Sequence, residues 1–494
     1  MVRPKIEVLE KNRVDQIIDE AIQLLVDPGV RVHNTEAQRM LAEAGARVDR
    51  ETQVAYVPQV IIEACLKTVP GEFYLYDMQG EPAIHYGGDD VHFDPGSAGI
   101  AILYDSIGSQ RPPVSSDMIK FVQLVEALPE LDAQSTCMVC DDVPKEIGDL
   151  YRLYLALNFM SKPIITGAFR IDTWWVMKEM LAVARGGEAE LVEKPLAVFD
   201  VCPSPPLLWS DLTCQNLIDC ARTGIPAELV SMPLAGATAP VTLAGAVVQH
   251  TAENLSGVVI HQLASPGAPL VWGGSPAAFD MRKGTTPMGA AETWLIDAAY
   301  VQVGKALGIP THVYMGMSDA KVVDAQCGLE SMGGALMAAL MGANMISGAG
   351  MLDFESALSF EKLVLDAEII ALAKRTIRGV AIREEPLALE LMRQVGHQGD
   401  YLSQRHTKEW FRDELSNPSN VIDRGSLDAW IAGGRKTSSQ RAAERIEVLL
   451  QEPSHTTLSR EERRELQRIT TLAANKFGMG ELPFKPGEDI MPAA

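Results

Sequence analysis

The chain has little cysteine for its size, no long apolar run and no excess of basic residues, and each shortage removes a class of protein. Seven cysteines in 494 residues are too few, and odd in number, for a disulfide framework. No stretch approaches the roughly 20 uninterrupted apolar residues that cross a bilayer, so no membrane role is expected. The 65 acidic against 43 basic side chains leave a formal charge of −22, which repels phosphate backbones and argues against nucleic acid. The opening MVRPKIEVLEKNRVDQ lacks the apolar stretch and cleavage site of a secretory signal, so a cytoplasmic protein is expected.

Several chemical signatures are missing as well. There is no G-x-G-x-x-G after the first strand of the repeating pattern described below, no G-x-x-x-x-G-K-[ST], no G-x-S-x-G nucleophile elbow and no H-E-x-x-H; the nine histidines are scattered. Dinucleotide, nucleotide, serine-hydrolase and zinc-peptidase readings lose their support. Cys137 and Cys140 in CMVC are the one close cysteine pair and could open a zinc site, but no second pair completes four ligands. Buried structural thiols are the competing reading, and no metal is expected.

What the chain does have is a rhythm. From about Asp132 a short apolar run ending in Gly, Pro or Ser is followed by a longer helical stretch, seven times over. The runs are LDAQSTCMV, KPIITGAF, PLAVFDVCP, AELVSMPLAG, PLVWGGS, THVYMGMS and MISGAG, too continuously apolar to have a solvent face. An eighth strand is expected near Val380 or Asp400. Repeated βα units without a dinucleotide fingerprint predict an α/β chain built as a closed (β/α)8 barrel over residues 131–405. A helical N-terminal lobe is predicted over 1–90, with FYLYD, AIHYGG, VHFDPG and GIAILYD as short hairpin strands leading on to about 130. A helical, charged extension over 406–494 follows, its charge runs being solvated faces or subunit contacts in a homo-oligomer. The tail FKPGEDIMPAA reads as loosely held.

On such a barrel the segments after each strand share one mouth, so Asp141, Arg170, Pro203, Gly236, Ser275, Ser318 and Gly350 are expected around it. The loops there are rich in small residues, which suit either tight turns or the close approach of a broad ligand. Asp353, Phe354 and Glu355 follow the last apolar run; acid beside an aromatic face suits a cation that cannot donate a hydrogen bond. Ser318, Asp319 and Glu330 are further candidates, with helix-terminal charge the alternative for Asp319. Trp272 is either core or part of a cation cage, and Arg170 either a surface ion pair or a hold on a substrate carboxylate.

The strings SDAKVVDAQCGLES (318–331) and ANMISGAGMLDFESALSFEKLVLDAEII (343–370) resemble the trimethylamine methyltransferase family. GAFR, VCPSPPL, MPLAGATAPVTLAGAVVQHTAE and VWGGSPAAFDMRKG extend the resemblance over most of the chain. It implies a (β/α)8 barrel that passes a methyl group from a methylamine to the Co(I) of a separate corrinoid protein. Founding members carry pyrrolysine; this sequence holds only the twenty standard residues, which implies the branch acting on quaternary amines such as glycine betaine. With no D-x-H-x-x-G cobalamin motif, no cofactor is expected to be tightly bound, and cobalamin would arrive on the partner. In that reading Asp353, Phe354 and Glu355 are catalytic, and Arg170, Trp272, Ser318, Asp319 and Glu330 bind substrate. Pro203, Gly236, Gly274, Gly348 and Gly350 lie in loops that face the cobalamin. The alternatives are a zinc-dependent corrinoid methyltransferase built on Cys137 and Cys140, a non-catalytic betaine-binding relative, or transfer to a folate.

Overall fold

Eight short parallel strands close on themselves in the computed structural model, which describes residues 3–397, 399–451 and 456–486. They are β1 (His92–Pro95), β2 (Gln134–Ser135), β3 (Ile164–Thr166), β4 (Ala197–Val201), β5 (Ala227–Ser231), β6 (Leu270–Gly274), β7 (His312–Tyr314) and β8 (Met345–Ala349). Each pairs with the next: β2 through β6 form one ladder, Trp272 N–H to Pro310 O joins β6 to β7, and β7 pairs β8. Closure comes from β1, parallel to β8 and bonded to β2 through Phe93 O. The eighth strand therefore lies ahead of the other seven, in VHFDPG, and not near Val380 or Asp400. Those positions lie in coil, and the one helix between them, Leu389–Val395, buries none of its residues.

The outer ring is α1 (Ser115–Ala127), α2 (Gly148–Phe159), α3 (Ile171–Arg185), α4 (Asp211–Thr223), α5 (Leu243–Ala264), α6 (Ala291–Ala306), α7 (Ala325–Met341) and α8 (Phe360–Ile377). Their ends carry ordinary signals: Ser210 caps α4 by accepting from Thr213 N, Asp324 caps α7, and α4 stops at Gly224 with φ +70°. α5 is buried almost all round because the N-terminal helices Lys11–Val26 and Gln59–Leu66 pack across it. That cover explains its lack of a polar stripe. The helix Arg460–Asn475 returns to pack on α2 and α3, and Ser438–Leu449 packs on α8. Of the tail FKPGEDIMPAA, Phe484 rests against Tyr154 and Phe159, while residues 487–494 lie outside the described residues. Among the described residues no helix is long and apolar enough to cross a membrane.

Inside the barrel the side chains stack in layers of opposite character. Ile165, Val198, Val271 and Met345 form the lower layer, sealed by Leu75, Ile84 and Tyr86 of the hairpin Phe73–Tyr76 and Pro82–Tyr86. One residue pair further along the strands, where barrels of this kind commonly place branched apolar side chains, stand Asp94, Asp200, Glu228, His312 and Ser347. Gly273 belongs to this layer because a Cβ there would lie 3.0 Å from His312 Nδ1 and 3.1 Å from Glu228 Cγ. The glycine makes room for the pair.

Candidate active site

The polar layer is the floor of a cavity of about 540 Å³ at the C-terminal mouth. Ends of seven strands reach it: Ser97 and Ala98 after β1, Gly167 to Phe169 after β3, Asp200 to Cys202 on and after β4, Val230 and Met232 at β5, Ser275 after β6, Tyr314 on β7, and Phe354 with Glu355 after β8. Arg152 of α2 and Asn216 of α4 complete the wall.

Two carboxyls and two rings face one another across this space. Asp200 accepts a hydrogen bond from the Tyr314 hydroxyl at 3.3 Å. Burial, with Glu228 nearby, lifts the Asp200 pKa to about 8; burial and then Asp200 itself lift Glu355 to about 8. Beneath them His312 Nδ1 lies 2.6 Å from Glu228 Oε1, and His312 Nε2 lies 2.8 Å from Ser347 Oγ, which donates to Asp94. Burial lowers His312 to about 4 and raises Glu228 and Asp94, so the charges of this chain are suppressed. The floor is polar yet close to neutral.

Phe354 and Glu355 reach the cavity on an unusual turn. Met351–Leu352 and Ala357–Leu358 pair as a hairpin, and the three residues Asp353, Phe354 and Glu355 have φ of 51°, 57° and 70°. Left-handed backbone is disfavoured for residues with a Cβ, so the turn stores strain that its anchors must offset. Those anchors are visible. Asp366, paired with the buried Lys362, accepts from Gly350 N at 2.7 Å, and Lys321 Nζ lies 3.1 Å from Asp353 Oδ1. The same ammonium sits 3.6 Å from the centre of the Phe354 ring, which lines the cavity. Phe354→Ala should raise KM for a cationic substrate by the loss of about 0.5–2 kcal/mol of cation–π attraction, with kcat less affected. An unchanged KM across amine substrates would assign the ring to Lys321 alone.

The other sequence-derived candidates lie elsewhere, and their contacts say why. Glu330 accepts from Ser318 Oγ at 2.6 Å and Asp319 N at 2.8 Å, while Asp319 accepts from Met288 and Gly289 N–H. These three residues pin the loops after β6 and β7 behind the rim. Asp319, raised to about 6 chiefly by burial, is held within that clamp. Trp272 is fully buried and gives its indole N–H to Tyr300 O, a core placement. Arg170 is exposed and bidentate to Asp172, so the surface ion pair describes it. Gly274, Gly348, Gly350 and Pro203 are buried under the rim, leaving Gly236 as the only one of the five with exposed surface. Cys137 and Cys140 are buried, with thiol pKa values pushed up by burial, and no set of three metal-ligating side chains clusters among the described residues.

Asp200, Tyr314 and Arg152 join the site without being marked by any motif, although the first and the last leave a trace in the sequence. Asp200 interrupts the apolar run PLAVFDVCP and Arg152 interrupts the apolar helix DLYRLYLALNF. A charge inside a segment that has no solvent face must point into a cavity or at a partner.

A closed barrel with a polar, water-accessible cavity at its C-terminal mouth defines a (β/α)8-barrel enzyme. The particular chemistry follows from kinship: the chain belongs to the trimethylamine methyltransferase (MTTB) family, whose sequence profile matches residues 2–477. It is a methyltransferase. The chain is 32% identical over 465 residues to trimethylamine methyltransferase MttB of Methanosarcina barkeri, covering 92% of this chain and 93% of that one. It is 29% identical over 458 residues to the MttB of Desulfitobacterium hafniense DCB-2, covering 93% and 92%. It is also 29% identical over 449 residues to a glycine betaine methyltransferase of D. hafniense Y51, covering 90% and 93%. In fold it is similar to the monomethylamine methyltransferase MtmB of M. barkeri, with TM-score 0.51, 12% identity and coverage of 90% and 89%.

Proposed function

We propose that this methyltransferase takes a methyl group from a quaternary amine and passes it to the Co(I) of a separate corrinoid protein docked over the mouth of the barrel. The observation that carries the reading is the cavity in which the carboxyls of Asp200 and Glu355 and the rings of Tyr314 and Phe354 face one another. No group there is needed as a proton donor. A quaternary nitrogen keeps the electron pair of the broken N–CH3 bond and leaves as a neutral tertiary amine. The partner's cobalt supplies the nucleophile.

The chain's part is then orientation, dehydration and a restrained attraction. Positive charge leaves nitrogen as the methyl departs, so a rigid cage of full negative charges would hold the ground state more tightly than the transition state. Carboxyls held near neutrality by burial, with rings beside them, provide capture without that penalty. The loops at the barrel's mouth expose apolar side chains, among them Phe169, Met232, Val241 and Met281, alongside the charged Arg282 and Lys321. Exposed apolar side chains of this kind suit a docked protein face, which would also exclude water.

The test is cobalamin absorbance, following Co(I) to methyl-Co(III) on a corrinoid protein across a panel of amines. Glycine betaine, or another quaternary amine, should be demethylated and the matching tertiary amine ignored. Equal rates on glycine betaine and dimethylglycine, or transfer from trimethylamine alone, would sink the quaternary-amine reading.

A further inference from the structure

The cavity also has a positive pole that the amine reading does not use. Arg152 is 2% exposed, and its guanidinium is wedged between the ends of β2 and β3. Nη1 donates to Thr136 O at 2.8 Å and Nη2 to Gly167 O at 3.1 Å, while the Phe169 ring covers one face at 4.4 Å. Nε is buried with no partner, and the hydrogen bonds that the group does make go to neutral carbonyls. Asp149, one turn earlier, is occupied by Leu150 N, Phe169 N and the Thr173 hydroxyl. Asn216 stands on the same wall, giving Nδ2 to Ala168 O and leaving Oδ1 buried and unpartnered.

A guanidinium stays charged in proteins; Asp149 and Asp200 act on this one from a distance, but among the described residues no carboxylate pairs with it directly, and a buried charge is costly unless something completes it. A clamp on two strand ends uses only part of its donors. The remaining edge matches the two oxygens of a carboxylate. We infer that Arg152 binds a carboxylate carried by the substrate, so that the cavity takes a zwitterionic betaine in preference to a simple quaternary ammonium ion. This rests on the quaternary-amine reading of the pole where Asp200, Glu355, Tyr314 and Phe354 face the cation, Asp200 being near enough to Arg152 for each charge to act on the other. It also supplies what that pole lacks. A trimethylammonium group is nearly spherical and has no direction of its own; an anchored carboxylate fixes which methyl faces the mouth.

Isothermal titration of the full chain separates the possibilities, with glycine betaine, γ-butyrobetaine, glycine betaine methyl ester, choline and tetramethylammonium as probes. The wild type should bind at least one carboxylate about tenfold or more tightly than its uncharged-end counterpart. Arg152→Gln should erase that ratio while choline and tetramethylammonium stay within about twofold, and Arg152→Lys should restore part of it. No carboxylate preference in the wild type, or equal losses for betaine and choline in the variant, overturns the inference. The wild-type panel tests it even where the glutamine variant fails to fold. The cobalamin assay keeps the two readings apart. Betaine bound through Arg152 but never demethylated would remove the methyl-transfer proposal alone; fast demethylation without carboxylate preference would remove only the role of Arg152.

Discussion

At about pH 8 and above, where Asp200 is ionised, Asp200→Asn should raise KM for the quaternary amine about ten- to a hundredfold while leaving kcat within a few-fold, because a charged contact in a desolvated site is worth about 1.5–3 kcal/mol. The split matters: an interaction lost mainly from the ground state appears in KM. A quaternary ammonium ion has no titrating proton, so the pH dependence of its capture belongs to the protein. Asp200 and Glu355 ionise only near pH 8, and a bound cation favours their charged forms. Binding below that pH therefore releases protons, and kcat/KM should climb with pH toward about 8 and then level, with Asp200→Asn reducing the slope. Stability moves the other way. The unfolded chain ionises these groups near 3.8 and 4.5, the folded chain near 8, so between those values the folded state holds more protons. Their contribution is full below about pH 4 and is lost as pH rises through 8, and Asp200→Asn should flatten that decline. A kcat/KM profile that is flat from about pH 6 to 9 would remove both carboxyls from the cation site.

His312→Ala should destabilise the barrel by about 3–5 kcal/mol, among the largest effects of any single truncation here, since it opens a cavity and strands the Glu228 carboxyl. The loss reaches both ends of the chain from Glu228 to Asp94, because Ser347 loses its partner at Nε2 as well. Glu228→Met combined with His312→Leu should recover most of the loss, as apolar replacements of a buried polar pair generally do. The shift of the urea midpoint measures both. A cost under about 1 kcal/mol for His312→Ala would mean that water fills the space and that the layer contributes little to holding the barrel.

How much of this was legible depended on which face of a strand a residue occupies. The seven outer βα units could be read because their outward residues, such as Phe199 and Val201 on β4 or Ile346 on β8, pack against helices and make unbroken apolar runs. β1 could be read in VHFDPG as a short strand but not as a strand of the barrel. It has four residues, and two of them are His92 and Asp94, since its inward position belongs to the polar layer, so it lacks the apolar run that marks the other seven. The hairpin that carries Phe354 and Glu355 could be found from an acid-aromatic-acid string, whereas its partners across the cavity could not. Asp200 is placed opposite by barrel curvature, and Arg152 comes from the side of a helix. The clamp of Ser318, Asp319 and Glu330 looked like a binding set because a carboxylate that holds backbone N–H groups and one that holds a ligand have the same composition.

Placing β1 ahead of the other seven strands also sets when the molecule can become whole. Ser347 and Asp94 are separated by 253 residues, and the pairing of β1 with β8 is what closes the sheet. The ladder from β2 to β6 joins strands consecutive in sequence and can grow as each is synthesised, but β1 must find β8 only after nearly three-quarters of the chain exists. Until then the nascent sheet has two open edges and a half-built floor of carboxyls without partners. Closure should therefore be the slow, late event of folding, dominated by long-range contact formation. The cavity that handles the cation comes into being only at that last step.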